Sequence, residues 1–167
     1  MPMLSLPEGA PPTIRDAFAH IGTVTTPTPL DIKVLVLVEA ASQELYRCSA
    51  EGSDNPEVIE LLHANAREEF LHAERASAAL AALNGEVFPA PAAEDNPYLA
   101  EGKFPLVELT REGLHKMAEV EFGGDAFYGV WAQNVGNAEA AALFRQNGKE
   151  ETDHGNRLLK VAELLEA

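Results

Sequence analysis

The sequence predicts an all-α domain, a four-helix bundle with one long crossover between the second and third bundle helices. Three observations support this prediction. No stretch shows the strict apolar–polar alternation of a half-buried strand. Helix start and stop signals divide most of the chain into four long segments, and the middle connection is much longer than the other two. A chain of 167 residues with 46% hydrophobic residues fits one domain of this kind.

The first two bundle helices have clear start signals. Residues 1–28, rich in proline and threonine, are predicted to form an N-terminal arm with one short helix around residues 13–20, and residues 29–167 to form the bundle. Thr28 can cap the first bundle helix, with Pro29 at its first position and a stop at GSDNP. Asn55 can cap the second helix, which ends at the Asn-Gly pair after Leu83.

The second half of the chain repeats this plan after a proline-rich connection. Residues 86–104 form the predicted crossover. A third helix is predicted from about Leu106 to Asn134, and the sequence VGNAE turns the chain into a fourth helix that reaches the C-terminus.

Charge and composition exclude several classes of function. The net charge of −15 argues against a nucleic-acid partner and against an anionic membrane surface, because both need clustered Lys and Arg. Cys48 is the only cysteine, so the chain has neither an internal disulfide nor a thiolate zinc site. The N-terminal residues lack a signal-peptide pattern, and the longest apolar run, Val34–Val38, is too short to span a bilayer. A cytoplasmic location is therefore expected.

Four Glu-x-x-His pairs occur in the sequence, and an internal repeat distinguishes two of them. A shift of 82 residues places NAREEFLH (65–72) on NGKEETDH (147–154), and it also places Glu39 on Glu121 and Tyr46 on Tyr128. Each half therefore contains Glu-x6-Tyr followed by Glu-x-x-His. The pairs Glu60/His63 and Glu112/His115 have no counterpart under this shift.

Helix phase separates the same pairs. At about 100° per residue, positions nine apart lie on opposite sides of a helix. Glu60 and Glu112 each lie nine residues before a repeated glutamate, and they are predicted to face solvent. The repeated glutamates lie in the middle of apolar stripes, where they are predicted to face the core.

Inward carboxylates need a partner, because an unpaired ionised carboxylate in a protein core costs several kcal/mol. Four carboxylates carry a charge of −4, which two divalent cations neutralise, and oxygen with imidazole ligation suits iron or manganese. The predicted ligands are Glu39, Glu69, His72, Glu121, Glu151 and His154. Tyr46 and Tyr128 lie on the ligand faces, where they either hydrogen-bond the ligands or fill the core.

These motifs resemble the ferritin-like di-iron carboxylate superfamily, and rubrerythrin-like proteins most closely. The resemblance covers about residues 28–167 and rests on Glu39, EFLH (69–72), Glu121 and ETDH (151–154). It implies a ferritin-like four-helix bundle that holds two iron ions, with manganese or zinc as alternatives. One iron would be bound by Glu39, Glu69 and His72 and the other by Glu121, Glu151 and His154, with Glu69 and Glu151 as bridges.

Two departures from the fuller rubrerythrin pattern affect the expected chemistry. The sequence shows no rubredoxin domain with four iron-binding cysteines, so electrons are expected from a separate donor protein. The additional glutamate of those rubrerythrins, one turn after the third-helix ligand, is replaced here by Gly123, Gly124 and Asp125. Asp125 lies four residues after Glu121, but its shorter side chain makes it a poor candidate for direct ligation.

The resemblance implies an oxidoreductase, in the form of a homodimer, that reacts with hydrogen peroxide or dioxygen and is reset by an external reductant. A ferroxidase or iron-storage subunit shares the same ligand set and remains an alternative. A di-iron oxygenase acting on an organic substrate is a further alternative, which would need an apolar channel to the metals. A metal-binding module without enzymatic activity is the remaining alternative.

Overall fold

The computed structural model describes residues 4–100 and 106–166, and within these ranges it contains helices and irregular segments but no strand. The helices are α1 (Ile14–Ile21), α2 (Pro29–Ala50), α3 (Pro56–Asn84), α4 (Arg111–Asn134) and α5 (Ala138–Glu166). Two short 3-10 helices, Ala93–Asp95 and Pro97–Leu99, lie in the crossover. The all-α prediction is confirmed. No helix in the described ranges is long and apolar enough to cross a membrane.

The helix boundaries follow the capping residues. The Thr28 side chain accepts a hydrogen bond from the Asp31 N–H, and the Asp31 carboxylate accepts one from the Thr28 N–H, which together form a capping box. At the start of α3 the Asn55 side chain accepts hydrogen bonds from the Glu57 and Val58 N–H groups, and Gly85 ends the helix with a φ of 77°, a left-handed conformation that favours glycine. The third bundle helix begins later than the predicted Leu106, because the Thr110 side chain caps it at the Gly113 N–H. Residues 101–104 of the predicted crossover lie outside the described residues.

Helix packing leaves one side of the bundle open. Helix α2 packs along α3, α4 packs along α5, and α3 packs against α5, whereas α2 and α4 have no comparable contact. Two apolar clusters lie at opposite ends of the bundle: one contains Trp131 and Phe144, and the other contains Leu62 and Leu158. The buried polar layer described below lies between them.

The N-terminal arm and the crossover cover the outer side of α2. Helix α1 packs on α2 and buries Ala17 and Ile21. In the crossover, the Asn96 side-chain amide donates to the backbone carbonyl of Leu37 at 2.8 Å. The run Val34–Val38 is therefore buried on all sides of the helix, as expected for a helix that is apolar all round.

Candidate metal centre

The four bundle helices bring the six predicted ligands to one point. Each helix contributes one buried glutamate, and α3 and α5 each add a histidine with no exposed surface. The ligand atoms form overlapping groups, within each of which the atoms lie within 4.8 Å of one another, and two of these groups contain four residues each. The first group is Glu39, Glu69, His72 and Glu151, and the second is Glu69, Glu121, Glu151 and His154. Each group contains the residues predicted for one metal, and both contain Glu69 and Glu151.

The one-turn spacing of Glu-x-x-His directs each imidazole towards the shared glutamates. His72 Nδ1 lies 3.6 Å from Glu69 Oε2 and 3.4 Å from Glu151 Oε1. His154 Nδ1 lies 3.4 Å from Glu69 Oε1 and 3.5 Å from Glu151 Oε2. Glu69 and Glu151 thus have the central position that a bridging carboxylate requires.

Three potential metal-ligand atoms at this point have no hydrogen-bond partner among the described residues. They are Glu69 Oε2, His72 Nδ1 and His154 Nδ1, and all three are buried. A buried polar atom without a partner costs about 1–3 kcal/mol, so native proteins rarely leave one. Each of these atoms is an ordinary ligand for iron, manganese or zinc. The donor set therefore fits a pair of divalent cations.

Without metal, the pKa values of the terminal glutamates, Glu39 and Glu121, are shifted in the opposite direction from those of the central glutamates, Glu69 and Glu151. Burial raises the pKa of Glu39 and of Glu121 well above the usual range, and the negative charge of Glu69 raises each further. Burial also acts on Glu69 and Glu151, but hydrogen bonds with the two histidines outweigh it and lower both pKa values.

The same contacts favour protonated imidazoles. Burial alone would lower the pKa of His72, but the nearby Glu151 and Glu69 carboxylates raise it to about 11, and the pKa of His154 is raised for similar reasons. Without metal, these shifts favour protonated imidazoles and protonated carboxyl groups on Glu39 and Glu121, so metal binding would release protons.

A second layer of charged residues fixes the other nitrogen of each histidine. His72 Nε2 lies 3.0 Å from Glu150 Oε2, and Arg75 donates to the same oxygen at 2.6 Å. In the other half, His154 Nε2 lies 3.0 Å from Glu68 Oε2, and Arg157 donates to that oxygen at 2.7 Å. With its proton held on Nε2, each imidazole presents Nδ1 to the centre.

These outer carboxylates were missed by the sequence prediction, which treated only the second glutamate of each Glu-Glu pair as functional. The hydrogen bond with His154, together with Arg157, lowers the pKa of Glu68 to about 2 despite its partial burial. A signal for the layer was present in the sequence, since the 82-residue shift carries Glu68 onto Glu150 and Arg75 onto Arg157. What the repeat does not show is that each carboxylate serves the histidine of the other half.

Tyr46 and Tyr128 also contact glutamates of the opposite half of the repeat. The Tyr46 hydroxyl donates a short hydrogen bond to Glu121, and the Tyr128 hydroxyl donates one to Glu39. Burial raises the pKa of both tyrosines well above its usual value, and the neighbouring carboxylate raises it further, so both hydroxyls stay protonated. The structure thus places each tyrosine in contact with a terminal glutamate.

The remaining sequence candidates lie away from the centre. Asp125 is exposed and belongs to neither ligand group. Gly124 has a different role, because a Cβ there would lie 2.6 Å from Glu151 Cγ, so its missing side chain makes room for a predicted ligand. The unrepeated pairs lie outside the cluster: Glu60, Glu112 and His115 are exposed, and His63 is half-buried.

Comparison with known proteins identifies a family for this chain. The rubrerythrin family model matches residues 36–162, a span that includes all six predicted ligands and both tyrosines. Searches of curated proteins and of solved structures found no match. The family match covers most of the chain, and we conclude that the chain belongs to the rubrerythrin family.

Proposed function

We propose that this protein is a di-iron oxidoreductase that reduces hydrogen peroxide or dioxygen and is reset by a separate electron-donor protein. The observation that supports the proposal most directly is the group of three partnerless donor atoms, Glu69 Oε2, His72 Nδ1 and His154 Nδ1, among four buried carboxylates. Membership of the rubrerythrin family supports iron as the metal. The proposal includes a cytoplasmic homodimer without nucleic-acid or membrane contacts.

The side chains of this chain hold the site in one geometry. When bound, two ferrous ions supply the two electrons that convert one peroxide and two protons into two waters. Glu68 and Glu150 fix the histidine tautomers, so that Nδ1 is free to bind metal. Tyr46 and Tyr128 keep their protons on the hydroxyl oxygen and hold Glu121 and Glu39 in place. The apolar clusters close both ends of the bundle around the polar layer.

Stopped-flow mixing of the Fe(II)-loaded protein with peroxide, and separately with dioxygen, tests this function. We expect oxidation of the bound iron to be faster than that of free Fe(II) with at least one oxidant. Glu151→Ala should lose this reaction, because it removes a ligand shared by both metals. Glu112→Ala is the matched control, since it removes the glutamate of an exposed Glu-x-x-His pair in the same chain. If wild type and Glu151→Ala oxidise iron at the rate of free Fe(II), the proposal is wrong.

Iron storage uses the same ligands, but mass measurement separates it from the proposed function. A storage protein forms a large hollow shell and retains mineral, whereas the proposed oxidoreductase is a dimer. Sedimentation of the iron-loaded protein should therefore give a dimer that holds no iron beyond its di-iron sites. A 24-subunit particle with a mineral core would favour storage instead.

A further inference from the structure

A cavity of about 340 Å³ lies between α2 and α4 and extends to the glutamate cluster. Its walls are mainly apolar and include Phe18, Leu35, Val38, Met117, Val120 and Phe127. Its floor is formed by the four buried glutamates, of which Glu69 is 3% exposed and has one oxygen without a partner.

The cavity exists because two helices that flank the site do not pack against each other. Helices α2 and α4 are joined by the two tyrosine–glutamate hydrogen bonds but do not pack closely along their length as α2 and α3 do, and α4 carries two successive glycines beside the opening. A Cβ added at Gly123 would meet no atom within 4 Å, so this part of the opening is empty space. A larger residue at position 123 would extend into that space.

We propose that this cavity binds a neutral, apolar organic molecule and holds it beside the metal centre. Its volume lies in the range of ligand pockets, roughly 300–1,000 Å³, and apolar walls with a few convergent polar groups are typical of such pockets. Peroxide or dioxygen needs far less room, since a water molecule takes up only about 30 Å³ in the liquid. The space is therefore much larger than the proposed oxidants require.

The charge of the cavity selects a neutral ligand. An anion would enter a chain of net charge −15 and would lose its hydration against the apolar walls. An organic cation would lose its hydration against the apolar walls, and the walls offer no charged partner to offset that cost. An uncharged molecule avoids both costs and gains from burial of its apolar surface.

The depth of the cavity favours a small molecule over a second copy of the chain. The floor is formed by carboxylates that are 3–7% exposed, beyond the reach of a helix packed across the opening. Exposed apolar side chains at the rim, Val120 at 63% and Phe18 at 42%, widen the apolar entrance. A covering second copy is nevertheless an outcome that the experiment below detects.

The position beside the metals rests on the proposed function, whereas the binding of an apolar molecule does not. Two measurements on the zinc- and manganese-treated full-length protein keep these parts separate. Fluorine NMR titration with trifluoromethylbenzene, a neutral apolar probe, measures binding in the diamagnetic zinc-treated sample. Fluorine relaxation in the manganese-treated sample measures the distance of the bound probe from a paramagnetic metal.

Two glycines on α4 provide a matched pair of variants. Gly123 and Gly129 both have open space around an added Cβ, but only Gly123 lines the cavity. Replacement of either glycine by leucine removes a similar helix-propensity cost of about 1 kcal/mol. We expect saturable binding by wild type and Gly129→Leu, at least tenfold weaker binding by Gly123→Leu, and faster relaxation with manganese than with zinc.

Several results would overturn the proposal. Equal binding by wild type and Gly123→Leu would mean adsorption to the surface, and no saturable binding by wild type would exclude an open apolar site. Failure of wild type to bind, together with dissociation of Gly123→Leu into monomers, would assign the cavity to a dimer interface. Binding without faster relaxation in a protein shown to contain manganese would separate the cavity from the metals. If neither metal is retained but binding still depends on position 123, the proposed function fails and the apolar site stands.

Discussion

Helices α2 and α4 occupy equivalent positions in the repeat, but their surroundings differ. Each carries a terminal glutamate and, seven residues later, a tyrosine that contacts the opposite half. Fifteen of the 22 residues of α2 are buried, against six of the 24 residues of α4. The arm and the crossover cover the outer side of α2. Much of α4 is exposed, including Val120 and Phe122.

The difference shows which features of the repeat are tied to the site. Ligands, tyrosines, outer carboxylates and arginines are all kept in both halves, because each half completes the site of the other. Some positions outside this set differ between the halves: the 82-residue shift places Gly123 and Gly124 of α4 on Ala41 and Ser42 of α2. The cavity lies between α2, which is covered on its outer side, and α4, which is largely exposed.

Removal of a terminal glutamate should have the largest effect and should be the same in both halves. We expect Glu39→Ala and Glu121→Ala each to weaken binding of one metal per chain by more than about 100-fold, the upper range for loss of an outer-layer partner. Competition with a chelator measures this affinity. A large difference between the two variants would show that the halves are not equivalent at the metal.

Truncation of one apolar side chain on each helix should distinguish the covered helix α2 from the open helix α4. Leu37→Ala removes a side chain with no exposed surface under the crossover, and we expect it to lower the free energy of unfolding by about 2–5 kcal/mol. Val120→Ala, on α4 at 63% exposure, should change it by about 0.5 kcal/mol or less. Urea unfolding measures both. Similar losses would mean that α4 is covered in solution, as a partner chain would cover it.

The fold could be predicted because its signals are local. The caps at Thr28 and Asn55 and the stop at Gly85 act on neighbouring residues, and the structure confirms the helices they predict. The six candidate ligands could be found because the one-turn spacing of Glu-x-x-His places both side chains on one face of a helix, and the repeat picks out the two relevant pairs. The cover on α2 could not be predicted, since the contact from Asn96 to Leu37 joins residues 59 positions apart.

Long-range pairing also explains the incomplete prediction of the site. Helix phase places Glu68 about 100° from Glu69 and therefore outside the predicted ligand set. The partner of Glu68 is His154, and their hydrogen bond spans 86 positions between α3 and α5. Only the packing of those two helices reveals it. The contacts of Tyr46 with Glu121 and of Tyr128 with Glu39 could not be predicted for the same reason, since they also join distant parts of the chain.

The outer carboxylates should have an intermediate effect. Glu68→Gln and Glu150→Gln keep the shape of the side chain but remove the charge that orients a histidine. We expect each to reduce metal affinity by about 10- to 100-fold. Circular dichroism should show unchanged helix content. Unaltered affinity in both variants would mean that the histidines need no outer partner.

A smaller effect than that of the outer carboxylates concerns the caps of the two compared helices. Burial raises the pKa of Asp31, but hydrogen bonds from Thr28 and from His20 outweigh it and lower the pKa below 3.8. A lowered folded-state pKa stabilises the protein above the unfolded value, and this contribution is lost as the pH falls through the folded value. Asp31→Asn should therefore cost about 1 kcal/mol at pH 6 and almost nothing near pH 2.

The cap of α4 provides the control for that prediction. Its hydroxyl, on Thr110, does not titrate, so Thr110→Ala should cost about 1 kcal/mol at either pH. Thermal unfolding at the two pH values measures both variants. A pH-independent cost for Asp31→Asn would contradict the ionised capping box.

Iron content is the most direct test of the central claim, that these six side chains form a dinuclear iron site. The protein should be loaded anaerobically with Fe(II), passed through a desalting column and measured for bound iron and, after exposure to air, for its electronic spectrum. We predict two irons per chain and a ferric charge-transfer band in wild type and in Glu112→Ala, with both lost in Glu151→Ala. A wild-type protein that retains no iron, or a Glu151→Ala variant that retains two, would contradict the account.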